Sequence, residues 1–92
     1  MAEVRIDNLD GVTLYCVKLR QLPAAIEHSG LQFQLLEALS PSVFYQTDVG
    51  LLLDELQRLY AVASTPVRRE IGDVTLALTA VEAPCRIVLN PY

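Results

Sequence analysis

The sequence predicts a small α+β domain: an antiparallel sheet of about five strands with two to three helices packed on one face, in the order β-β-α-(α)-α-β-β-β. Three observations carry that expectation. Apolar residues recur with a helical period over residues 47–64, and they alternate with a period of two near both ends of the chain. The 92 residues contain no linker or low-complexity tract, which leaves room for one domain spanning residues 1–92.

The first two strands are residues 4–9 and 12–19, with Asp10-Gly11 between them, a pair suited to the positive-φ positions of a tight hairpin turn. In VTLYCVKL, Val12, Leu14 and Cys16 alternate with Thr13, Tyr15, Val17 and Leu19, so the second strand is apolar on nearly both faces. Such a strand is expected at the centre of its sheet or covered twice. Residues 22–30 predict a short helix: Pro23 suits its first turn, Leu22 and Ile26 face inward, and Gly30 can take the left-handed conformation that stops it.

Residues 31–39, LQFQLLEAL, fit both periods. Leu31, Phe33 and Leu35 alternate with glutamines as in a strand, whereas Leu31, Leu35, Leu36 and Leu39 form a helical stripe, and the LLEAL ending favours helix. Ser40-Pro41-Ser42 breaks the segment, and Val43-Phe44-Tyr45 bridges to the main helix. There Val49, Leu52, Leu53, Leu56, Leu59, Tyr60 and Ala63 form the core-facing stripe, Thr47 or Asp48 caps the start, and Thr65-Pro66 ends the run. Past Pro66 the period returns to two. Residues 67–71, 74–81 and 85–89 read as a three-stranded meander with turns at Gly72-Asp73 and Glu82-Ala83-Pro84. The stretches from Val4-Arg5 to Pro23 and from Val67-Arg68 to Pro84 share the rhythm that a duplicated hairpin would leave.

A hydrophobic content of 52% is high for so short a chain, because small domains have little interior in which to hide apolar groups. The expectation is that apolar surface meets another chain, a protein partner or, through self-association, a homo-oligomer. Eleven acidic against seven basic residues give a net charge of −4, which repels a phosphate backbone, and Arg68-Arg69 is the only adjacent basic pair. Nucleic acid is therefore not an expected partner. No apolar run approaches the ~20 residues that span a bilayer, and residues 1–8 lack the apolar core of a secretory signal, so the expected setting is cytoplasmic and without membrane contact. Cys16 and Cys85 have no second thiol or histidine at metal-ligand spacing and read as buried free thiols. Their strands could be neighbours, which keeps a disulfide open.

No catalytic residue, metal or cofactor is predicted. His28, the only histidine, falls in the last turn of a short helix, where the helix dipole favours a cation, and Glu27 beside it in sequence does not face it. There is no glycine-rich phosphate loop, HExxH, CxxC or GxSxG. Asp54 and Glu55 are expected on the solvent side of the main helix, with Asp54 spaced to pair with Arg58. Leu51 and Val62 lie on that same side, where aliphatics need a reason. With Glu55 and Arg58 as a polar rim they form a candidate contact surface for residues 31–39 or a second subunit. Phe44 and Tyr45 are candidate aromatic anchors. The expected function is a non-catalytic protein-interaction module, a small acidic inhibitor or immunity-type protein, an adaptor or a self-assembling subunit, acting through an apolar surface. The alternative is a small homodimeric enzyme or small-molecule-binding domain with a pocket between sheet and helices, using Tyr15, His28 or Arg86.

Overall fold

Strands β1 (Glu3–Asn8) and β2 (Thr13–Lys18) form the hairpin that Asp10-Gly11 predicts, in a computed structural model that describes residues 2–36, 41–81 and 84–92. Gly11 supplies the required positive φ of 87°. The Asn8 side chain holds the turn from within, its Oδ1 accepting the N–H groups of Asp10 at 3.0 Å and Val12 at 2.9 Å. Strands β3 (Ser42–Tyr45) and β4 (Cys85–Asn90) complete the described sheet in the order β2-β1-β4-β3, every neighbouring pair antiparallel. The register sets Val4 between Val17 and Leu89, Ile6 between Tyr15 and Ile87, and Phe44 beside Ile87. This is the sheet's apolar face. Helices α1 (Leu22–His28), α2 (Val49–Val62) and α3 (Thr65–Ala80) supply Leu22, Leu56, Leu59 and Ile71 to the same core, each about 1% exposed.

The α+β class is as expected, but among the described residues the sheet has four strands and the element order is β-β-α-β-α-α-β. The difference lies after Pro66. The two strands expected within residues 67–81 are one helix, α3, in which Val67, Ile71, Val74 and Leu78 are buried at helical spacing. Leu76, which an alternating strand would bury together with Val74 and Leu78, is 69% exposed. Gly72 sits inside this helix rather than in a turn, so the described residues from 67 to 81 form no second hairpin to be a duplicate of the first. Pro66 does not terminate the preceding helix. α2 ends where Ala63 turns extended, and Pro66 occupies the first turn of α3, where a missing N–H leaves no carbonyl unpaired.

Four further expectations change. Residues 31–36 are neither helix nor strand, and residues 37–39 of that segment lie outside the described residues. Val43-Phe44-Tyr45 is not a connector but most of β3. β2 is an edge strand, and Val17 alone among its residues is half-buried rather than exposed. In α2 the buried stripe is Leu52, Glu55, Leu56 and Leu59, rotated away from Tyr60, which is 40% exposed. Arg68 covers the Tyr60 ring, its guanidinium 4.9 Å from the ring centre, and donates to the Tyr60 carbonyl at 3.1 Å. Gly30 behaves as predicted, with φ of 73° just past α1.

Candidate interaction surfaces

Glu55 is not a solvated helix residue. It is 0% exposed and faces residues 34–36, whose backbone N–H groups converge on its carboxylate. Leu35 N donates to Oε1 at 3.0 Å and to Oε2 at 3.2 Å, Leu36 N donates to Oε2 at 3.3 Å, and Gln34 N donates to Oε1. Arg58, one turn further along α2, donates from Nη2 to the Gln32 carbonyl at 3.1 Å and lies over the Phe33 ring at 5.2 Å. Two side chains of α2 thus hold the amides and a carbonyl that residues 31–36 leave unpaired by not forming a helix. That bonding lets Leu36 enter the core at 7% exposure, with Phe33 and Leu35 packed against it. Leu51, Asp54, Glu55 and Arg58 face Gln32, Phe33 and Gln34 across a cleft of about 610 Å³. The contact between this side of α2 and residues 31–36 is therefore made within the chain.

The other candidates lie elsewhere. Val62, 64% exposed, borders a shallow cleft of about 420 Å³ between α1 and the α2–α3 corner, together with Arg20, Ala24, His28, Leu59 and Val67. Phe44 is a core residue at 7% exposure, while Tyr45, 54% exposed, closes the far end of the sheet beside Leu9, Asp10 and Arg86. The six residues singled out from the sequence do not form one patch. Tyr15, His28 and Arg86 are likewise dispersed: Tyr15 is on the edge strand, His28 is exposed at the end of α1, and Arg86 faces Asp7.

Sequence reasoning missed two carboxylates. Asp7, 2% exposed, accepts from the Thr13 hydroxyl at 2.9 Å, from Arg5 Nε at 3.2 Å and from Arg86 Nη2 at 3.4 Å. Burial pushes its carboxyl up, but the Thr13 hydroxyl and the two guanidinium groups outweigh that and hold it below the usual carboxylate range. The hairpin turn was readable, and counting back from it sets Asp7 across from Thr13. Glu70 of α3 accepts the backbone N–H of Gln21 at 2.9 Å and 3.1 Å and that of Arg20, holding the start of α1 in place of a local cap.

Neither cysteine is disulfide-bonded, and the geometry forbids a bond between them: β1 lies between their strands, Cys16 is exposed and Cys85 is buried in the core. Cys16 is thus on the surface and not, as expected, inside. Its Sγ donates to Glu3 Oε2 at 2.7 Å, and Lys18 Nζ reaches the same oxygen at 3.5 Å. The Glu3 carboxylate, assisted by burial, pushes the Cys16 thiol up, and burial pushes Cys85 up.

The largest run of unexplained apolar exposure follows the hairpin. Leu9 is 66% exposed, Val12 58%, and Leu14 and Tyr15 42% each, beside one of the two edges of the described sheet; at the other, β3 exposes Val43 at 52% and Tyr45 at 54%. A bulge at Leu14 lets Asp7 face Thr13 while Ile6 faces Tyr15. Among the described residues no helix is long and apolar enough to cross a membrane, and no three His, Cys, Asp or Glu side chains gather into a metal-binding group. Compared with known proteins, the chain matches no family model, no curated protein and no solved structure.

Proposed function

We propose that the chain is a non-catalytic protein-interaction module whose working surface is the open edge of β2 with the apolar side chains around it. One observation carries this reading: an edge strand whose Leu14 and Tyr15 are both 42% exposed, continued by Val12 at 58% and Leu9 at 66%. Edge strands are normally guarded, because their free N–H and C=O groups pair readily with another chain. Here Lys18 guards one end and the Leu14 bulge the other, while Tyr15, Cys16 and Val17 between them carry no charge. Backbone pairing at such an edge supplies affinity, and alternate side chains supply selectivity. The polar side chains accord with a binding role, since Glu55, Glu70 and Asp7 are all engaged in holding the fold.

The test is site-specific photocrosslinking in the native host. A photoreactive phenylalanine analogue at position 14 is expected to give adducts with protein, and the same group at the exposed helix position Gln57 is expected to give none. Equal labelling from both positions, or none from position 14, would overturn the assignment of this edge.

A further inference from the structure

We infer a second site, separate from the β2 edge: the cleft between α1 and the α2–α3 corner binds a small monocarboxylate with an apolar body. Small side chains make the opening. Ala24 and Ala25 line it from α1 and Ala63 from the end of α2, and helix surfaces built on alanine leave about 420 Å³ where longer side chains would interlock. That volume lies in the range of small-molecule sites, about 300–1,000 Å³. The floor is apolar and fixed, since Leu59 and Val67 belong to the core. An apolar body laid on that floor leaves water without displacing any core side chain.

Charge selects the head group. Among the described residues Arg20 and His28 are the only ionisable ones that line the cleft, so a chain of net charge −4 presents here a wall without a carboxylate. Glu70 accepts the backbone N–H groups of Arg20 and Gln21 and does not line the cleft. The Arg20 side chain is also uncommitted. Arg5 and Arg86 contact Asp7, Lys18 contacts Glu3, Arg58 contacts Gln32 and Phe33, and Arg68 contacts Tyr60. Among the described residues neither the Arg20 guanidinium nor the His28 imidazole has such a partner, and Arg69, the other uncommitted arginine, lies outside the cleft. A guanidinium presents paired N–H donors that match the two oxygens of a carboxylate. His28 and the Ser64 hydroxyl, which does not cap α3, offer further hydrogen bonds in the same cleft. One permanent cation above an apolar floor matches one negative charge at one end of the ligand.

Titration of the full chain with octanoate, followed by amide chemical shifts, tests the site. Saturable shifts are expected at Ala24, Ala25, His28, Ala63 and Ser64. Octanol and octylammonium, which lack the anionic head, should bind more weakly by roughly tenfold or more. Suberate should also bind more weakly, because its second carboxylate would fall on the apolar floor. Arg20→Gln should weaken octanoate roughly tenfold, the scale of a hydrogen bond to a charged group, and Ala24→Trp should abolish binding by filling the cleft. Both positions are exposed, so a dispersed spectrum from each variant is expected, and Arg69→Gln should bind as the wild type does. Absence of saturable shifts in the wild-type chain would overturn the inference, as would equal affinity for octanol or an octanoate affinity unchanged by Arg20→Gln.

Discussion

The Glu55 carboxylate accepts the N–H of Leu35 at 3.0 Å across 20 positions of chain, joining the middle of α2 to a segment with no regular structure. This pairing explains how residues 31–36 contribute Leu36 to the core without being helical: the amides that a helix would bond to its own carbonyls are bonded to a side chain instead. A buried carboxylate satisfied by amide donors is stabilising only as a unit, since removing it strands several donors at once.

Glu55→Ala should therefore destabilise the fold by about 3 kcal/mol, the scale set by losing charge-assisted hydrogen bonds and leaving interior N–H groups unpaired. Glu55→Gln keeps one acceptor oxygen but brings an NH₂ group against donors, and should lose an intermediate amount. Urea unfolding midpoints measure both. A loss from Glu55→Ala of only a few tenths of a kcal/mol would mean that residues 34–36 do not depend on this carboxylate.

Asp7 gives the fold a dependence on acid. Its carboxyl is held below its unfolded value, so the unfolded chain binds the proton more readily, and the stabilisation is fully present above roughly pH 4. It is lost as pH falls through the folded value. Asp7→Asn should lower stability at pH 7 by about 2 kcal/mol, in line with hydrogen bonds to a charged group, and should flatten the pH profile below 4. Thermal midpoints of both proteins from neutral pH into the acid range provide the comparison, and parallel profiles would exclude Asp7 as the source.

The two thiols should separate cleanly in labelling with a disulfide reagent at high dilution and mildly alkaline pH. Cys16 should react more slowly than free cysteine, because the Glu3 carboxylate beside it disfavours the thiolate, and Cys85 should react only on unfolding. Removing that charge with Glu3→Gln should speed Cys16 several-fold. An unchanged rate would show that Glu3 does not act on the thiol.

The parts of the fold that local chemistry decides were legible in the sequence. Asp10-Gly11 specified the hairpin, Gly30 the end of α1, and the long apolar period α2. The misreadings have two physical origins. In α3 the buried set Val67, Ile71, Val74 and Leu78 was present at helical spacing, but Val, Thr and Ile are strand-favouring letters, and Leu76 completes an alternation with Val74 and Leu78. Packing on β1 and β2 overrides that local preference and leaves Leu76 outside. Glu55 is a different case: a helical wheel ranks a carboxylate as outward, and only the arrival of distant backbone amides gives it a reason to be inward. The edge position of β2 was illegible for the same reason, since strand order depends on where β4 docks and not on the letters of β2.

Gly72 offers a test of that correction in which the sign of the effect decides. In α3 its φ is not positive, and a Cβ added there meets no atom within 4 Å, so Gly72→Ala should stabilise the protein by about 0.5–1 kcal/mol through reduced freedom of the unfolded chain. Had residues 72–73 formed a hairpin turn requiring a left-handed residue, the same substitution would cost roughly 1 kcal/mol or more. Gly11 provides the internal control: space around it is equally open, but its φ is 87°, so Gly11→Ala should destabilise by about that amount. Opposite shifts in the thermal midpoints of the two variants follow from one helix and one turn. Two losses would return residues 72–73 to a turn and split α3 in half.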